Sequence, residues 1–214
     1  MLEKVSGFLR KKMCKKIVFI IAVVIFAISA TAGVSEIFID EEIAFAKMLN
    51  PDGNKNVILL FFTHLGAAYC VIPVAAAFLL LPKRKSLALP IAVTITSSWL
   101  LNTAVKNIVC RARPVGKLLQ ETSFSFPSGH AMNNMALYSA IIICLLPFCK
   151  TKGQKAAVWS ISVLPLLIGI SRVYFNVHYI SDVVAGWSLG LIVSILCCGI
   201  ILKMGCSGDC KNKI

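Results

Sequence analysis

Residues 171–182 read SRVYFNVHYISD, and residues 183–202 read VVAGWSLGLIVSILCCGIIL. The second stretch carries no charge and is long enough to cross a bilayer as one helix, for which about twenty apolar residues suffice. The first packs a guanidinium (Arg172), an imidazole (His178) and a carboxylate (Asp182) against its start. Another apolar run, residues 156 to 173, ends where this polar cassette begins. Ionisable groups at such a boundary point to function. If residues 178–182 are helical, His178 and Asp182 stand one turn apart on one face. The carboxylate can then accept a hydrogen bond from one ring nitrogen, which fixes the tautomer and frees the other nitrogen to attack an electrophile. Arg172 supplies a planar, permanently charged fork suited to phosphate oxygens.

Outward from this stretch the chain repeats the same alternation. Its 214 residues are 58% hydrophobic with mean hydropathy +0.84, against roughly 45–50% apolar residues in a soluble domain. Apolar runs at 17–32, 57–81, 87–109, 131–149, 156–173 and 183–202 predict an all-α, integral membrane bundle of six transmembrane helices. Residues 1–214 read as one domain, with the chemistry-bearing motifs confined to 106–182. The basic start and first run imitate a signal peptide, but no A-x-A site follows, so this helix is expected to be retained. Pro73 predicts a kink in the second span, and His64 in the same span is a candidate for either function or simple pairing with a neighbour. Residues 37–49 are weakly amphipathic and suit the membrane interface, with their acids on a solvated face.

The net charge of +13 invites a nucleic-acid reading, which its distribution removes. The side that holds the N-terminus collects 15 Lys and Arg against two acids; the opposite side collects seven against seven. The whole excess lies on one face, so both termini are expected in the cytoplasm of a multi-pass cell-membrane protein. Of the nine cysteines most fall in apolar runs, where Cys behaves as a small hydrophobe. Cys206 and Cys210 could hold a metal or a lipid, but read more simply as part of a reduced cytoplasmic tail.

The same parity places Lys106 and Arg113 at the end of span three, Ser128 to His130 at the start of span four, Arg172 at the end of span five, and His178 with Asp182 at the start of span six. All these ends lie on the outer side. Lys106, Arg113 and Arg172 surround a space that calls for an anion. Pro127-Ser128-Gly129-His130 opens a helix, where free backbone N–H groups and the positive dipole end make a phosphate seat. Ser128 suits the N-cap and Gly129 allows close backbone approach. His130 has no acid within four residues and can give a proton to a leaving oxygen.

Taken together, Lys106-x6-Arg113-Pro114, Pro127-Ser128-Gly129-His130 and Ser171-Arg172-x5-His178-x3-Asp182 resemble the three blocks of the type 2 phosphatidic acid phosphatase superfamily. That family contains bacterial membrane lipid phosphatases and, more distantly, soluble vanadium haloperoxidases, a branch the six spans disfavour. The resemblance implies that His178 attacks phosphorus to form a phosphohistidine, that Asp182 orients it, and that His130 protonates the leaving group. Lys106, Arg113 and Arg172 would hold the phosphate oxygens with Ser128 and the Gly129 N–H. It implies no metal and no cofactor, since fixed cations stabilise the charge. The expected partners are the bilayer and a lipid phosphate or pyrophosphate, such as undecaprenyl pyrophosphate, phosphatidylglycerophosphate, phosphatidic acid or diacylglycerol pyrophosphate, met on the extracytoplasmic side. The short connection at 115–126 leaves no room for a large lid domain. A non-catalytic phospholipid-binding membrane protein is the alternative, disfavoured because a binder needs only the cations. A small transporter is disfavoured by the lack of repeated broken helices.

Overall fold

The computed structural model describes the backbone of residues 2–80 and 85–211, and the side chains of 16–78 and 87–202. The basic side chains before Lys16, the basic residues expected as a loop at 82–86 and the tail with Cys206 and Cys210 lie outside the described side chains. The helices are α1 (Leu2–Ser35), α2 (Ile39–Leu49), α3 (Val57–Leu65), α4 (Ala68–Leu80), α5 (Lys85–Val109), α6 (Gly129–Leu145), α7 (Lys152–Ser160), α8 (Val163–Tyr174) and α9 (Ile180–Lys211). A 3-10 turn at Leu146–Phe148 extends α6. No strand occurs among the described residues.

Among the described residues five stretches are long and apolar enough to cross a membrane: Lys16–Ser35, Leu87–Val109, Gly129–Phe148, Lys152–Tyr174 and Ile180–Leu202. The α3–α4 pair, bent by 51°, supplies the sixth if it counts as one span. The break falls at Gly66, whereas Pro73 lies inside α4. Steric crowding explains why. A Cβ on Gly66 would stand 2.4 Å from Ile168 Cγ2 on α8 and 3.1 Å from the His130 ring on α6. The Gly66 carbonyl, turned out of the helical ladder, accepts a hydrogen bond of 2.8 Å from Asn134 Nδ2 on α6. His64, beside the break, pairs through Nδ1 with the Tyr69 hydroxyl at 2.6 Å on an exposed face.

Helix α6 is the hub, packed by α4, α5, α8 and α9. Its residues are buried nearly all round, which suits a helix with no consistently polar face. Close approach to α9 depends on small residues, as is common between membrane helices. A Cβ on Gly190 would meet the Met132 carbonyl oxygen at 2.3 Å, and one on Gly186 the Ser128 carbonyl oxygen at 2.8 Å. Polar residues on the buried face of α5 recur every four positions: Thr94, Ser98, Asn102 and Lys106. Thr94 bonds Pro90 O, Ser98 bonds Asn133 Oδ1 and Asn102 bonds Pro127 O, so the stripe is satisfied internally up to Lys106. The large apolar residues left exposed, such as Ile20, Ile28, Leu100 and Ile200, face outward where lipid tails lie.

Helix α2 does not lie free on the interface. Ala46, Phe45 and Leu49 pack on Ala131, Val173 and Val183 at one end of the bundle. Its acids do not all mark a solvated face either. Glu42 is 5% exposed and points inward.

Candidate active site

The ends of α5, α6, α8 and α9 meet at the end of the bundle covered by α2. His178 and Asp182 do not share a helix. His178 lies in the bend before α9, and Asp182 is in the first turn. Asp182 Oδ2 reaches back to the Tyr179 N–H at 3.0 Å, the way an acid in a helix's first turn satisfies a free backbone donor. That same reach brings Oδ2 to 3.4 Å from His178 Nδ1. The Ser125 hydroxyl donates to Oδ2 at 2.5 Å. His178 Nδ1 therefore faces an acceptor, which leaves the ring's lone pair on Nε2. Nε2 stands 3.1 Å from Arg113 Nη1, which can donate to it. Burial pushes the His178 pKa down to about 4, ahead of the opposing pull of Asp182, so the ring is neutral at physiological pH.

Arg113 is fixed by backbone oxygens as well: Nε donates to Ser123 O at 2.7 Å and Nη1 to Val177 O at 2.8 Å. Burial lowers its pKa from the ordinary arginine value, against the pull of Glu121 and Asp182. Lys106 Nζ is held by the carbonyls of Phe124 and Ser125. Arg172, 2% exposed, donates through Nη1 to Thr63 Oγ1 at 2.5 Å and through Nη2 to Glu121. Glu121 also stands 3.6 Å from Arg113 Nη2, so one carboxylate bridges two of the three cations.

A cavity of about 950 Å³ opens on this cluster. Lys106, Arg113, Gly129, His130 and His178 line its polar end. Val71, Ile72, Ile95 and Trp99, from α4 and α5, line an apolar flank of the same space. Ser128 precedes α6 at the N-cap position, yet its side chain makes no capping bond. Its N–H goes to the Asp182 carbonyl at 3.0 Å, and its buried Oγ has no hydrogen-bond partner among the described residues. Arg172 Nε is likewise buried and unpartnered. The structure thus gathers all eight residues singled out by the sequence at one end of the bundle. Among the described residues no group of three or more His, Cys, Asp or Glu is arranged to hold a metal.

Two residues that sequence reasoning passed over stand behind Asp182. Arg111 Nη1 donates to Asp182 Oδ1 at 2.7 Å and to Ser181 Oγ at 2.8 Å, and Nη2 donates to Glu42 Oε2 at 2.7 Å. Burial alone would lower the Arg111 pKa, but Asp182 and Glu42 outweigh it and the group stands above the ordinary arginine value.

The PAP2 superfamily model matches residues 87–204. Phosphatidylglycerophosphatase B of Bacillus subtilis is 36% identical over 164 residues, covering 73% of this chain and 80% of that protein. An undecaprenyl-diphosphatase of Sulfolobus acidocaldarius is 28% identical over 155 residues, covering 69% and 71%. The crystal structure of a transmembrane PAP2-type phosphatidylglycerolphosphate phosphatase from Bacillus subtilis superposes with a TM-score of 0.71 at 31% identity, over 88% of this chain and 96% of that one.

Proposed function

Since the chain belongs to the PAP2 superfamily and is a membrane lipid phosphatase, we propose that it releases inorganic phosphate from a lipid phosphomonoester or pyrophosphate on the extracytoplasmic face through a phosphohistidine. Phosphatidylglycerophosphate is the leading substrate and undecaprenyl pyrophosphate the second, following the names of the two relatives above. The observation that carries the reading is a single cavity with a cationic, histidine-bearing end and an apolar flank. The headgroup meets the cations while the tail leaves between α4 and α5 toward lipid.

In the first step His178 Nε2 attacks phosphorus. The N–P bond forms as the bond from phosphorus to the leaving oxygen breaks, and His130 gives that oxygen its proton. Asp182 holds the Nδ1–H and stabilises the charge that the ring acquires. Lys106, Arg113 and Arg172 neutralise the phosphoryl oxygens, with Gly129 N–H and the unpartnered Ser128 Oγ as further donors. In the second step His130 takes a proton from water, the water oxygen bonds to phosphorus, and the N–P bond breaks. The positive-inside count supports an outward-facing site with both termini in the cytoplasm.

The test is phosphate release by purified protein in detergent, with EDTA present, across phosphatidylglycerophosphate, phosphatidic acid and undecaprenyl pyrophosphate. The highest kcat/KM is expected for phosphatidylglycerophosphate. No release from any of the three would end the proposal.

A further inference from the structure

We propose that Arg111 and Glu42 are positioning residues for the His178–Asp182 pair, so that α2 belongs to the catalytic apparatus; this rests on the phosphohistidine reading above. The carboxylate of Asp182 has two oxygens with separate duties. Oδ2 serves His178, Tyr179 N–H and Ser125, while Oδ1 is held by Arg111. A carboxylate anchored at only one oxygen can turn about its terminal torsion, which is a broad, soft coordinate. Anchoring both oxygens removes that freedom. The 3.4 Å approach to His178 Nδ1 then depends on Arg111 staying where it is.

Glu42 holds Arg111 in turn. One of its oxygens takes the Arg111 Nη2 bond, and the other accepts the Ser181 N–H at 2.7 Å. The guanidinium lies over the Tyr179 ring, its carbon 4.1 Å from the centroid. Arg111 is 3% exposed and Glu42 5%, so α2 closes a buried row of alternating charge: Glu42, Arg111, Asp182, then the neutral ring. Replacing a buried ion network by apolar groups often costs no stability. Stability alone therefore does not account for such a row directly behind a nucleophile, whereas fixing the rotation of Asp182 does.

The other charged or titratable groups around His178 are Arg113 from the α5–α6 connection, Lys106 of α5, His130 of α6 and Arg172 of α8, with Glu121 bridging Arg113 and Arg172. Glu36 lies 3.9 Å from Arg111 Nε and is half-exposed. All are unchanged in the variants below, so shifts among variants report Arg111 and Glu42 alone. The substrate's own titration is also common to all.

The experiment is steady-state phosphate release by the full chain in detergent between pH 3 and 9, with wild type, Arg111→Met, Arg111→Lys and Glu42→Gln. A lost positioning contact costs roughly 10–100-fold in turnover by analogy with groups that orient metal-ligating histidines. Arg111→Met is expected to lose about that much kcat with KM within about threefold, and Arg111→Lys to recover part of it. The acid limb should move in opposite directions. Removing the cation in Arg111→Met raises it, and removing the anion in Glu42→Gln lowers it, each by roughly half a pH unit or more.

A raised KM with unchanged kcat in Arg111→Met would make Arg111 a phosphate ligand and overturn the inference. So would activity that falls only with the folded fraction while the pH profile stays fixed. If Arg111→Met does not fold, Arg111→Lys and Glu42→Gln decide by the same criteria. Wild-type protein that releases no phosphate removes the proposed function itself; active wild type with wild-type-like variants removes only the positioning role.

Discussion

Glu121 sets its carboxylate directly on the Nη2 of Arg172 and reaches Arg113 Nη2 at 3.6 Å. Two cations proposed to hold phosphate are thus satisfied by the chain's own anion, which an incoming headgroup would displace. The Glu121 side chain is 24% exposed, so its departure costs little packing. Glu121→Gln keeps the shape and removes the competing charge. Ion pairs with this degree of solvent contact are worth about 1 kcal/mol or less. The inhibition constant for inorganic phosphate is therefore expected to fall by up to roughly fivefold. Competitive inhibition of lipid hydrolysis measures it, and a weaker inhibition constant would show that Glu121 aids the cup instead of filling it.

His178→Ala removes the proposed nucleophile while leaving the cations in place. Turnover should drop on the order of thousands-fold, with lipid binding retained. Acid-labile, base-stable label from a phosphate-labelled lipid should appear in quenched wild-type protein and be missing from this variant. Label that persists in His178→Ala would assign the covalent step elsewhere.

Burial holds His178 at about 4, below the ordinary histidine value. The unfolded chain takes up a proton as pH falls through about 6.5, while the folded chain waits until about 4. Between these limits the unfolded state binds more protons, so stability rises with pH across that window and is lost as pH falls through it. The shift corresponds to about 3 kcal/mol. Thermal unfolding in detergent should lose more stability from pH 6.5 to 4 in wild type than in His178→Asn. Equal slopes would show that the ring is not held neutral.

Much of this arrangement was legible because it is local. Runs of apolar residues placed the spans, and the Lys106, Arg113, His130, Arg172, His178 and Asp182 positions fell at span ends of one parity. What escaped was long-range or competitive. Glu42 is 139 residues from Ser181, and nothing in a weakly amphipathic helix says which of its three neighbouring acids turns inward. Arg111 sits between Lys106 and Arg113 and reads as one more cation until its partners are seen. The break at Gly66, in the span where Pro73 is the only bend signal, escaped because contact with α6 and α8, which no local rule contains, needs the missing Cβ. His178 fell outside the helix, yet the contact with Asp182 arose by a different route, the reach-back to Tyr179 N–H.

The crossing of α6 and α9 gives a direct stability test. At Gly190 the obstacle to a side chain is the Met132 carbonyl, 2.3 Å from an added Cβ, and backbone cannot swing aside as a flexible side chain can. Gly190→Val should destabilise by about 3 kcal/mol, the upper range for overpacking. Because α9 carries Asp182 and α6 carries His130, activity should fall with it. Gly199, with nothing within 4 Å of an added Cβ, is the control, and Gly199→Ala should leave the unfolding midpoint within a degree or two, as expected for roughly ±0.5 kcal/mol. Equal effects at the two positions would contradict the packing.

The side of the membrane that the site faces can be read from one thiol. Cys110 is exposed and immediately follows α5, next to Arg111 in the connection that carries Arg113. Its Sγ lies 3.1 Å from the Asn107 carbonyl oxygen, too weak a tie to hide it from a reagent. The charge count predicts that this end of the bundle faces outward. In a variant retaining Cys110 alone, a membrane-impermeant maleimide should label intact cells, and bulk at this position should slow phosphate release. A variant retaining Cys206 alone should label only after lysis, since the tail is expected on the side of the basic N-terminus. Labelling of Cys206 but not Cys110 in intact cells would turn the whole molecule over, placing the cavity and its cations in the cytoplasm.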